Sequence, residues 1–587
     1  HPIEKAMKKL THILLTTALV GLVWTLPSSV NAQITDGFFK AAGSPANPEV
    51  EATWNRYYSY EGITDLTKKL ADAHPDLVKR ESIGKSYEGR DIWLLTVTNH
   101  SQGNADRKPA MYIDGNIHSN EIQGTEVSLY TAWYLAEMYG QNDFITQLLD
   151  EKTFYIAPTI NPDGRENFFE EPNNSSSPRS GMKPIDDDMD GQVNEDKYDD
   201  LNGDGSITYM RRKNPRGGYR SHPDYPELMQ RVGADEFGEY ELLGSEGLDN
   251  DNDGRINEDV EGYYDPNRDW GWNWQPDYIQ RGSHKYPFSL PENRAVMDFV
   301  MEHPNIAAGQ SYHNAGGMIL RGPGAEEDRE TYNRSDVQVY DALGEMGERV
   351  MPGYDYLVVY DDLYSVFGGE LDWFYGSRGI FTFTNELWTP YEMFNEDTRG
   401  RYGEETYEFN KYLLFNDALT EWEPFDHPQY GEIEIGGLKK NLGRAHPGFL
   451  LEQMAHRNMA FSIYHAYHTP QLVIDEISEK DLGGGLKEVT AVITNTRMIP
   501  THASQDLKYK ITPPNYITID GAQVEAGMVV TNRAMNQTVE QKNNPEKIAV
   551  DNIPGMDSVT VRWIISRGNN YTITVDSKKG GLVSRTK

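Results

Sequence analysis

The chain of 587 residues contains no cysteine, which excludes disulfide bonds as braces of the fold. Basic residues are few, since 55 Lys and Arg stand against 91 Asp and Glu and give a formal net charge of -36. This excess of negative charge excludes a nucleic-acid backbone as a partner, because the chain does not neutralise phosphates on balance. Bound metal ions are the expected substitute for disulfides.

Long apolar runs are also lacking, apart from one at residues 10–26. This run follows Lys8 and Lys9 and precedes Ala32, a layout typical of a bacterial secretory signal peptide. We therefore expect residues 1–32 to be removed as a signal peptide, which predicts a secreted or periplasmic protein without a stable membrane anchor. A retained anchor is the alternative, since the run is nearly long enough to span a bilayer.

The order of the apolar patterns predicts the fold class. A chain of this length is expected to contain more than one domain. Over residues 48–467, strand-like runs alternate with helical patterns, which predicts an α/β domain with a mostly parallel mixed sheet and helices on both faces. Over residues 470–587, apolar residues alternate with a period of two, which predicts a C-terminal β-sandwich domain.

An acidic, Gly-rich insertion, residues 171–262, interrupts the α/β pattern and contains an internal repeat. Residues 186–196 are nearly copied by residues 249–259, and a shorter version occupies residues 200–207. Alternating carboxylates followed by Gly are the arrangement that surrounds calcium with oxygen ligands. The predicted calcium ligands are Asp186, Asp188, Asp190, Asp196, Asp200, Asn202, Asp204, Asp249, Asp251, Asp253 and Asp259.

The repeats differ from a complete EF-hand at the end of the loop, where no copy has the usual bidentate Glu in its place. Glu195 or Asp196 would close the first loop, and Glu258 or Asp259 would close the last. An acidic disordered insertion is the alternative interpretation.

His118 and Glu121 form a His-x-x-Glu pair between an apolar run and a predicted helix at residues 122–140. Imidazole and carboxylate ligands suit zinc, which in a catalytic site needs a third protein ligand and an open position for water. Two further predicted strands are followed by His313 and Glu386. Ligands gather where the strands of such sheets end, so these four side chains are expected to meet.

Several motifs resemble, in order, the zinc carboxypeptidases of the pancreatic carboxypeptidase A type over about residues 54–419. They are Ser86-Tyr87-Glu88-Gly89-Arg90, His118-Ser119-Asn120-Glu121, Asn161-Pro162-Asp163-Gly164, Met210-Arg211-Arg212-Lys213-Asn214, Asp265-Pro266-Asn267-Arg268-Asp269-Trp270 and Phe383-Thr384-Asn385-Glu386-Leu387. The resemblance implies a zinc metallocarboxypeptidase that hydrolyses C-terminal peptide bonds, with the ends of peptides or proteins as substrates.

The resemblance also implies the roles of the residues around the zinc. His118, Glu121 and His313 would bind the ion, and Asp265 would orient a zinc-bound histidine through its second ring nitrogen. Glu386 would act as general base and then as general acid, since it can take a proton from water and pass it to the leaving amine.

The substrate-binding residues are implied in the same way. Arg212 would stabilise the oxyanion that develops in the reaction, with Arg211 as the alternative. Asn267 and Arg268 would hold the C-terminal carboxylate of the substrate and Tyr364 would cap it, which restricts cleavage to chain ends.

Two positions depart from the pattern of the family. Asn120 stands where the family often has an arginine, which weakens an expected contact with the substrate away from the scissile bond. Leu371, just before Asp372, stands at the base of the expected side-chain pocket. Because Leu371 carries no charge, we expect a preference for neutral, apolar C-terminal residues over Lys or Arg.

The sequence therefore predicts a secreted, zinc-dependent metallocarboxypeptidase that calcium stabilises. The same fold and zinc site could instead serve an amidase or peptidase that acts on cell-wall peptides or acyl amino acids. The alternative from another class is a calcium-binding surface or adhesion module with an inactive peptidase fold. That alternative predicts the loss of a zinc ligand or of the base, whereas all four residues are present.

Overall fold

The architecture comes from a computed structural model in which residues 41–186, 189–261, 263–397 and 403–587 are described. The predicted signal peptide, residues 1–32, lies outside these ranges. Each helix within them is too short or too polar to cross a membrane. Val50–Lys587 form one compact unit, and the fold below is that of this unit.

The strands are, in chain order, β1 (Val78–Lys85), β2 (Asp91–Val97), β3 (Ala110–Gly115), β4 (Thr153–Ala157), β5 (Tyr209–Lys213), β6 (Tyr219–Ser221), β7 (Met229–Arg231), β8 (Tyr240–Ser245), β9 (Ile306–Asn314), β10 (Met318–Arg321), β11 (Asp355–Val358), β12 (Phe381–Leu387), β13 (Leu419–His427), β14 (Gly431–Leu438), β15 (Leu472–Gly483), β16 (Leu486–Asn495), β17 (Asn515–Asp520), β18 (Gln523–Asn532), β19 (Gln537–Gln541), β20 (Lys547–Val550), β21 (Asp557–Arg567), β22 (Thr572–Ser577) and β23 (Gly581–Thr586). The α-helices are α1 (Tyr60–Ala73), α2 (Gln123–Met138), α3 (Asp143–Glu151), α4 (Pro162–Glu170), α5 (Pro291–Glu302), α6 (Arg334–Val350), α7 (Glu370–Arg378), α8 (Tyr391–Phe394), α9 (Glu404–Leu413), α10 (Gly448–Tyr467) and α11 (Ser504–Tyr509).

An eight-stranded mixed sheet carries the predicted α/β fold, in the order β1-β2-β4-β3-β9-β12-β10-β11. The central strands β4, β3, β9 and β12 are parallel, while β1, β2 and β10 join by antiparallel pairing. The prediction of a mixed sheet with a parallel centre is confirmed. The parallel strands are buried along their length, as expected for a sheet covered on both sides.

The residues of β3 show how the two faces are covered. Met111 and Ile113 pack in a cluster with residues of α1, α2, α6 and α10, whereas Ala110 and Tyr112 pack in a second cluster with residues of α5 and α7. This alternation follows from the pleat, because successive side chains of a strand point to opposite faces. Helices therefore cover both faces of the sheet, as the sequence predicts.

The parallel strands bring their carboxyl ends to one edge. Gly115 pairs with Tyr312 in the β3–β9 ladder. His118, three residues after Gly115, and His313, one residue after Tyr312, therefore lie near each other at this edge. In the β9–β12 ladder, His313 pairs directly with Glu386. The topology thus gathers the predicted zinc ligands and base at the same edge of the sheet.

The insertion contributes to a second sheet that the sequence does not predict. Its six antiparallel strands follow the order β13-β14-β5-β8-β6-β7. β13 and β14 form a hairpin over residues 419–438 that joins the strands of the insertion, and the preceding helix α9 ends at Leu413. Ile433 and Ile435 of this hairpin bury themselves against Met210, but most strand residues here are polar, so the apolar alternation is weak.

The C-terminal strands form two antiparallel sheets, with the orders β15-β16-β21-β18-β19 and β20-β17-β22-β23. Residues from both sheets share one buried apolar cluster, which includes Trp563, Val489, Ile517 and Ile573. This arrangement agrees with the predicted β-sandwich.

Lys579 connects the β-sandwich to the α/β domain by hydrogen bonds. Its buried ammonium donates to the carbonyl oxygens of Arg378 and Gly379, both at 2.9 Å, and to Oδ2 of Asp506 at 3.0 Å. The two carbonyl oxygens belong to the C-terminal end of α7, where a cation is favourable because it complements the helix dipole. Burial lowers the pKa of Lys579, and Asp506 opposes this shift.

Candidate active site

A cavity of about 420 Å³ opens at the carboxyl ends of β3, β9 and β12. Among the described residues, its walls contain all those predicted to bind zinc, to orient a ligand, to act as base or to bind substrate, with the exception of Arg212. They are His118, Glu121, Asp265, Asn267, Arg268, His313, Tyr364, Leu371 and Glu386. Arg179 and Arg444, to which the sequence assigns no role, also line the cavity.

Three possible ligand atoms converge in this cavity. Nδ1 of His118 lies 3.0 Å from Oε2 of Glu121, and Nδ1 of His313 lies 2.9 Å from the same oxygen. The two nitrogen atoms are 3.2 Å apart, and all three side chains are buried. The structure therefore brings the three predicted zinc ligands together as a group that could hold a metal ion.

Asp265 lies at the other nitrogen of the His118 ring. Its Oδ1 is 2.8 Å from Nε2 of His118, while Nδ1 faces Glu121 and His313. A carboxylate at the second ring nitrogen orients a metal-binding histidine. The donor set fits zinc, because two histidines and one glutamate with room for a water are the composition of a catalytic zinc site.

Glu121 and Asp265 are held as carboxylates by their surroundings. Burial alone would raise the pKa of Glu121, but His118 and Arg179 outweigh it and keep that pKa well below its usual range. Burial likewise opposes ionisation of Asp265, and His118, Arg268 and Arg179 lower its pKa well below the usual range. Both acids are therefore negatively charged when a metal ion would bind.

Arg179 is the residue of this site that sequence reasoning missed. Its Nη1 donates to Oε1 of Glu121 at 2.9 Å, and its Nη2 lies 3.1 Å from Nε2 of His118. The backbone of its segment is docked beside the zinc-ligand loop, since the N–H of Ser119 donates to the carbonyl of Arg179 at 3.2 Å. Arg179 lies within the predicted insertion, where no apolar periodicity predicts the position of a residue. The sequence signal that points to Arg179 is its short separation from the motif Asn161-Pro162-Asp163-Gly164.

Arg212, the predicted oxyanion-stabilising residue, lies elsewhere, and the structure corrects that prediction. Arg212 is on β5 and its guanidinium is 3.1 Å from Glu241 on β8, with both side chains about two-fifths exposed. The alternative, Arg211, is 2.7 Å from Glu434 and packs over Tyr240. Neither arginine lines the cavity among the residues that the structure describes, because β5 is embedded in the sheet of the insertion.

Glu386 faces the metal ligands from β12. Burial and the charge of Glu121 raise the pKa of Glu386 to about 7, while His313, Arg179 and Arg444 oppose the shift. A carboxylate with a pKa near neutrality can both take and return a proton at physiological pH. The position of Glu386 is therefore suited to general acid–base chemistry.

Asn267 and Arg268 follow Asp265 in a single helical turn, Pro266–Arg268. Nδ2 of Asn267 lies 3.5 Å from Nε2 of His313, and its Oδ1 accepts from the N–H of Glu370 at 2.8 Å. The guanidinium of Arg268 is anchored by the carbonyl of Asn267 at 2.7 Å and lies 3.8 Å from Asp265. A fixed arginine fork beside an amide can receive a carboxylate.

Tyr364 and Leu371 complete this end of the cavity. Tyr364 follows the π-helical turn Val359–Leu363, and 61% of its surface is exposed, which leaves the side chain room to move. Leu371, at the start of α7, packs with Leu320 and Val359 in an apolar cluster. The wall that Leu371 forms is therefore uncharged, as predicted.

Asp372 also lines the cavity, beside Leu371. Its carboxyl accepts from the N–H of Gly324 at 2.8 Å and from the hydroxyl of Tyr332 at 3.2 Å. Burial raises the pKa of Asp372 to about 7. Asp372 thus loses much of its charge near neutral pH and is committed to contacts within the protein.

The two long acidic repeats lie against each other. Asp196 and Asp259 form an antiparallel β-bridge, and each accepts a backbone N–H of the other repeat, from Asn257 and Asn194 respectively, at 2.8 Å. These two buried carboxylates therefore bind backbone amides of the opposite repeat, and their role as calcium ligands stays a prediction.

Other carboxylates of the repeats form two groups that could hold a cation. One group is Asp190, Glu195 and Asp251, and the other is Asp249, Asp251 and Asp253. Asp186 accepts from the N–H of Gly191 at 3.1 Å, while Asp188 lies outside the described residues. In the short repeat, Asp200, Asn202 and Asp204 accept backbone N–H groups of their own loop.

Comparisons with known proteins agree with this geometry. A model of the zinc carboxypeptidase family matches residues 63–409, and a domain family of unknown function matches residues 471–587. Carboxypeptidase D of Mus musculus is 34% identical over 111 residues, which are 19% of this chain and 8% of that protein. The zinc carboxypeptidase of Saccharothrix mutabilis subsp. capreolus is 33% identical over 111 residues, which are 19% of this chain and 25% of that protein.

The match thus spans at most about a quarter of the length of these two curated relatives. Among solved structures, carboxypeptidase A from Helicoverpa armigera is similar with a TM-score of 0.37 at 20% identity, and the match covers 63% of this chain and 75% of that one.

Proposed function

The chain belongs to the zinc carboxypeptidase family, and on that premise we propose that it hydrolyses the C-terminal peptide bond of peptides or proteins. The observation that carries the proposal is the convergence of His118, Glu121 and His313 at one point, with Glu386 and the guanidinium of Arg268 in the same cavity. Metal ligands, base and carboxylate receptor are the three parts that such a reaction needs.

The proposed mechanism assigns one task to each residue. Bound by His118, Glu121 and His313, zinc would polarise the scissile carbonyl and lower the pKa of a water. Glu386 takes a proton from the attacking water and passes it to the leaving amine. Arg179 holds a fixed positive charge beside the ligands, where it stabilises the negative charge that develops on the carbonyl oxygen.

Asn267, Arg268 and Tyr364 restrict the reaction to chain ends in this proposal. Arg268 has a fixed charge and its side chain is only 10% exposed, so its attraction for a carboxylate is weakly screened. A peptide that lacks a free C-terminal carboxylate would leave this cation without its partner. The enzyme is therefore proposed to be an exopeptidase.

Leu371, Leu320 and Val359 favour neutral, apolar C-terminal side chains. A Lys or Arg side chain would bury its charge against this apolar cluster, which is unfavourable without a counter-ion. Asp372 and Glu370 also line the cavity, but burial raises the pKa of both carboxyl groups, and Asp372 is already bound to Gly324 and Tyr332, which opposes their use as a counter-ion.

The acidic repeats are proposed to bind calcium. Hydrogen bonding to Asp259 raises the pKa of Glu195 to about 7, and burial together with Asp196 raises that of Glu258 to about 7. Carboxyl groups crowded in this way are stabilised by a divalent cation, which suits oxygen ligands. We propose the bounds 48–467 and 470–587 for the two domains and secretion by the signal peptide at residues 1–32.

The proposed activity is tested by mass spectrometry of peptides incubated with the protein, with and without a zinc chelator. A ladder that shortens residue by residue from the C-terminus, and that disappears with the chelator, supports the proposal. Internal cuts, or release of a group other than a C-terminal amino acid, would overturn it. A peptide with an amidated C-terminus is the matched control and is expected to resist cleavage.

A further inference from the structure

Arg444 reaches the active-site cavity from outside the segment that the family model matches, residues 63–409. It lies in the connection between β14 and α10, next to Ala445 and close to Leu442, both of which are buried. Nδ2 of Asn314 donates to the carbonyl of Arg444 at 3.1 Å. The backbone that carries Arg444 is therefore fixed to the end of β9, directly after His313.

The guanidinium of Arg444 is only partly used within the protein. Its Nη2 donates to the carbonyl of Asn314 and lies 3.4 Å from Oε1 of Glu121. Its Nε is buried and has no hydrogen-bond partner among the described residues. The side chain is 30% exposed. Arg444 thus combines a buried donor that has no partner among the described residues with an exposed part that lines the cavity.

A need to neutralise the charge of Glu121 does not explain why Arg444 lies at the cavity. Arg179 already donates to the same oxygen at 2.9 Å, which is shorter than the 3.4 Å contact from Arg444. Arg444 is therefore a second guanidinium at an oxygen that Arg179 already binds, so its interaction with Glu121 leaves it able to bind an oxygen of the substrate as well.

Arg444 and Arg268 are fixed by different residues. Arg268 is held by Asn267 and Asp265, whereas Arg444 is held by Asn314 and contacts Glu121. The two guanidinium groups therefore have separate anchors in the cavity wall. Since Arg268 is proposed to take the C-terminal carboxylate of the substrate, Arg444 is left to meet an oxygen elsewhere on the peptide, and the chain before the scissile bond offers such oxygens.

Asn120 does not supply this contact. Its side chain is buried, and its Nδ2 donates to the carbonyl of Ser175 at 3.1 Å. The polar residue next to Glu121 in sequence is thus turned into the protein, and an arginine from a distant segment lies at the cavity instead.

We propose that Arg444 is a substrate-binding residue that donates to an oxygen on the peptide before the scissile bond. The inference rests on the proposed carboxypeptidase function. The acceptor is either a main-chain carbonyl or the side-chain carboxylate of the penultimate residue, since both offer the same oxygen chemistry to a guanidinium. Arg444 would thereby make the enzyme favour true peptides over single acylated amino acids.

The test compares the zinc-loaded wild type with Arg444→Met and Arg444→Lys on substrates of increasing length that end in Phe. Acetyl-Phe carries no carbonyl before the scissile one, whereas longer acetyl peptides do. We expect Arg444→Met to lower kcat/KM about 10–100-fold on the longer peptides, mainly through KM, and less than about twofold on acetyl-Phe. Arg444→Lys should recover part of the loss.

Binding gives a readout that does not depend on turnover. In a Glu386→Gln background, calorimetry should show weaker binding of an acetyl tripeptide when Arg444 is replaced by Met, with unchanged zinc content and midpoint of thermal unfolding. Peptides with Glu, Gln or Ala at the penultimate position separate the two acceptors, because a main-chain acceptor predicts equal losses and a carboxylate predicts the largest loss for Glu. Arg220→Met, an exposed arginine paired with Glu236, is the matched control.

Three results would overturn the inference. A loss that is equal for acetyl-Phe and longer peptides, or a fall in zinc content, would show that Arg444 acts on the metal site and not on the substrate. A wild-type protein that releases no C-terminal residue would overturn the proposed function itself, whereas an active wild type with an unchanged Arg444→Met variant would overturn only the role of Arg444.

Discussion

His313 and Glu386 pair directly in the parallel ladder of β9 and β12. Paired residues of neighbouring strands point to the same face, so a zinc ligand and the proposed base project together from the sheet edge. Backbone hydrogen bonds of two buried strands fix their separation. The distance between metal and base therefore does not depend on a mobile loop.

Replacing Glu386 by Gln is expected to lower kcat by about 10²–10⁴-fold, because an amide cannot take the proton of the attacking water. Zinc content should stay unchanged, since Glu386 is not among the ligands. Release of the C-terminal residue and metal analysis by mass spectrometry measure both quantities. Glu61→Gln, an exposed acid of α1, is the control, and substantial activity of Glu386→Gln would contradict its assignment.

Arg179 and Arg212 provide a matched pair. We expect Arg179→Met to lower kcat by about 10²–10³-fold, as for the loss of one donor to a developing oxyanion. Arg212→Met should change kcat less than about twofold, because Arg212 pairs with Glu241 and is not among the described residues that line the cavity. The reverse order of effects in a steady-state assay would restore the assignment that the sequence suggests.

Leu371 is expected to set the preference for the C-terminal residue. The wild type should release Phe or Leu faster than Lys from otherwise identical peptides. Leu371→Asp should lower kcat/KM for Phe by about tenfold or more, because a charge would then face the apolar side chain. Leu371→Met conserves volume and serves as control. A wild-type preference for Lys would disprove this account of the pocket.

The raised pKa of Asp372 predicts that the free energy of unfolding depends on pH. Burial raises its folded pKa to about 7, above its unfolded value of about 3.9. Folding therefore favours the protonated form of Asp372. The stabilisation that this form contributes is fully present below the unfolded pKa and is lost as the pH rises through 7.

Asp372→Asn should remove that loss, because an amide stays neutral and can still accept from Gly324. The free energy of unfolding at pH 8 is expected to rise by at most about 4 kcal/mol, since one pKa unit is about 1.4 kcal/mol. Urea unfolding at pH 5 and pH 8 measures the difference. A variant as sensitive to pH as the wild type would show that other groups cause the effect.

Calcium is expected to raise the midpoint of thermal unfolding. At a free concentration 100 times the dissociation constant, one site adds about 2.7 kcal/mol. Asp251 belongs to both acidic groups, so Asp251→Asn should reduce the effect most, whereas Asp235→Asn, an exposed acid outside them, should not. Calorimetry with and without calcium, at a constant zinc concentration, measures the midpoint of thermal unfolding of each protein. An unchanged midpoint in the wild type would contradict a structural calcium site.

The centre of the site could be predicted because it depends on local rules. His118 comes shortly after β3, and His313 and Glu386 lie at the ends of β9 and β12. Parallel strands end at one edge, so the meeting of these residues follows from the strand pattern. Arg179 and Arg444 could not be found in this way. Both lie in connections without periodicity, and contacts with residues far away in sequence place them at the cavity.

The insertion shows a second limit. Carboxylate spacing marks the acidic repeats, but it does not reveal that the two long copies pair with each other and use Asp196 and Asp259 for backbone amides. The strands of the insertion carry mostly polar residues, and their sheet forms only with β13 and β14 from much later in the chain. Tertiary pairing, and not local apolar alternation, decides this region.

Lys579 links the β-sandwich to a helix whose other end lines the cavity. The helix whose last carbonyl oxygens it binds, α7, begins at Glu370 and Leu371, which line the cavity at the other end. Removal of residues 470–587 would take away the ammonium that binds the end of α7. We therefore expect a chain without the β-sandwich to hold the wall that Leu371 forms less firmly than the intact chain does.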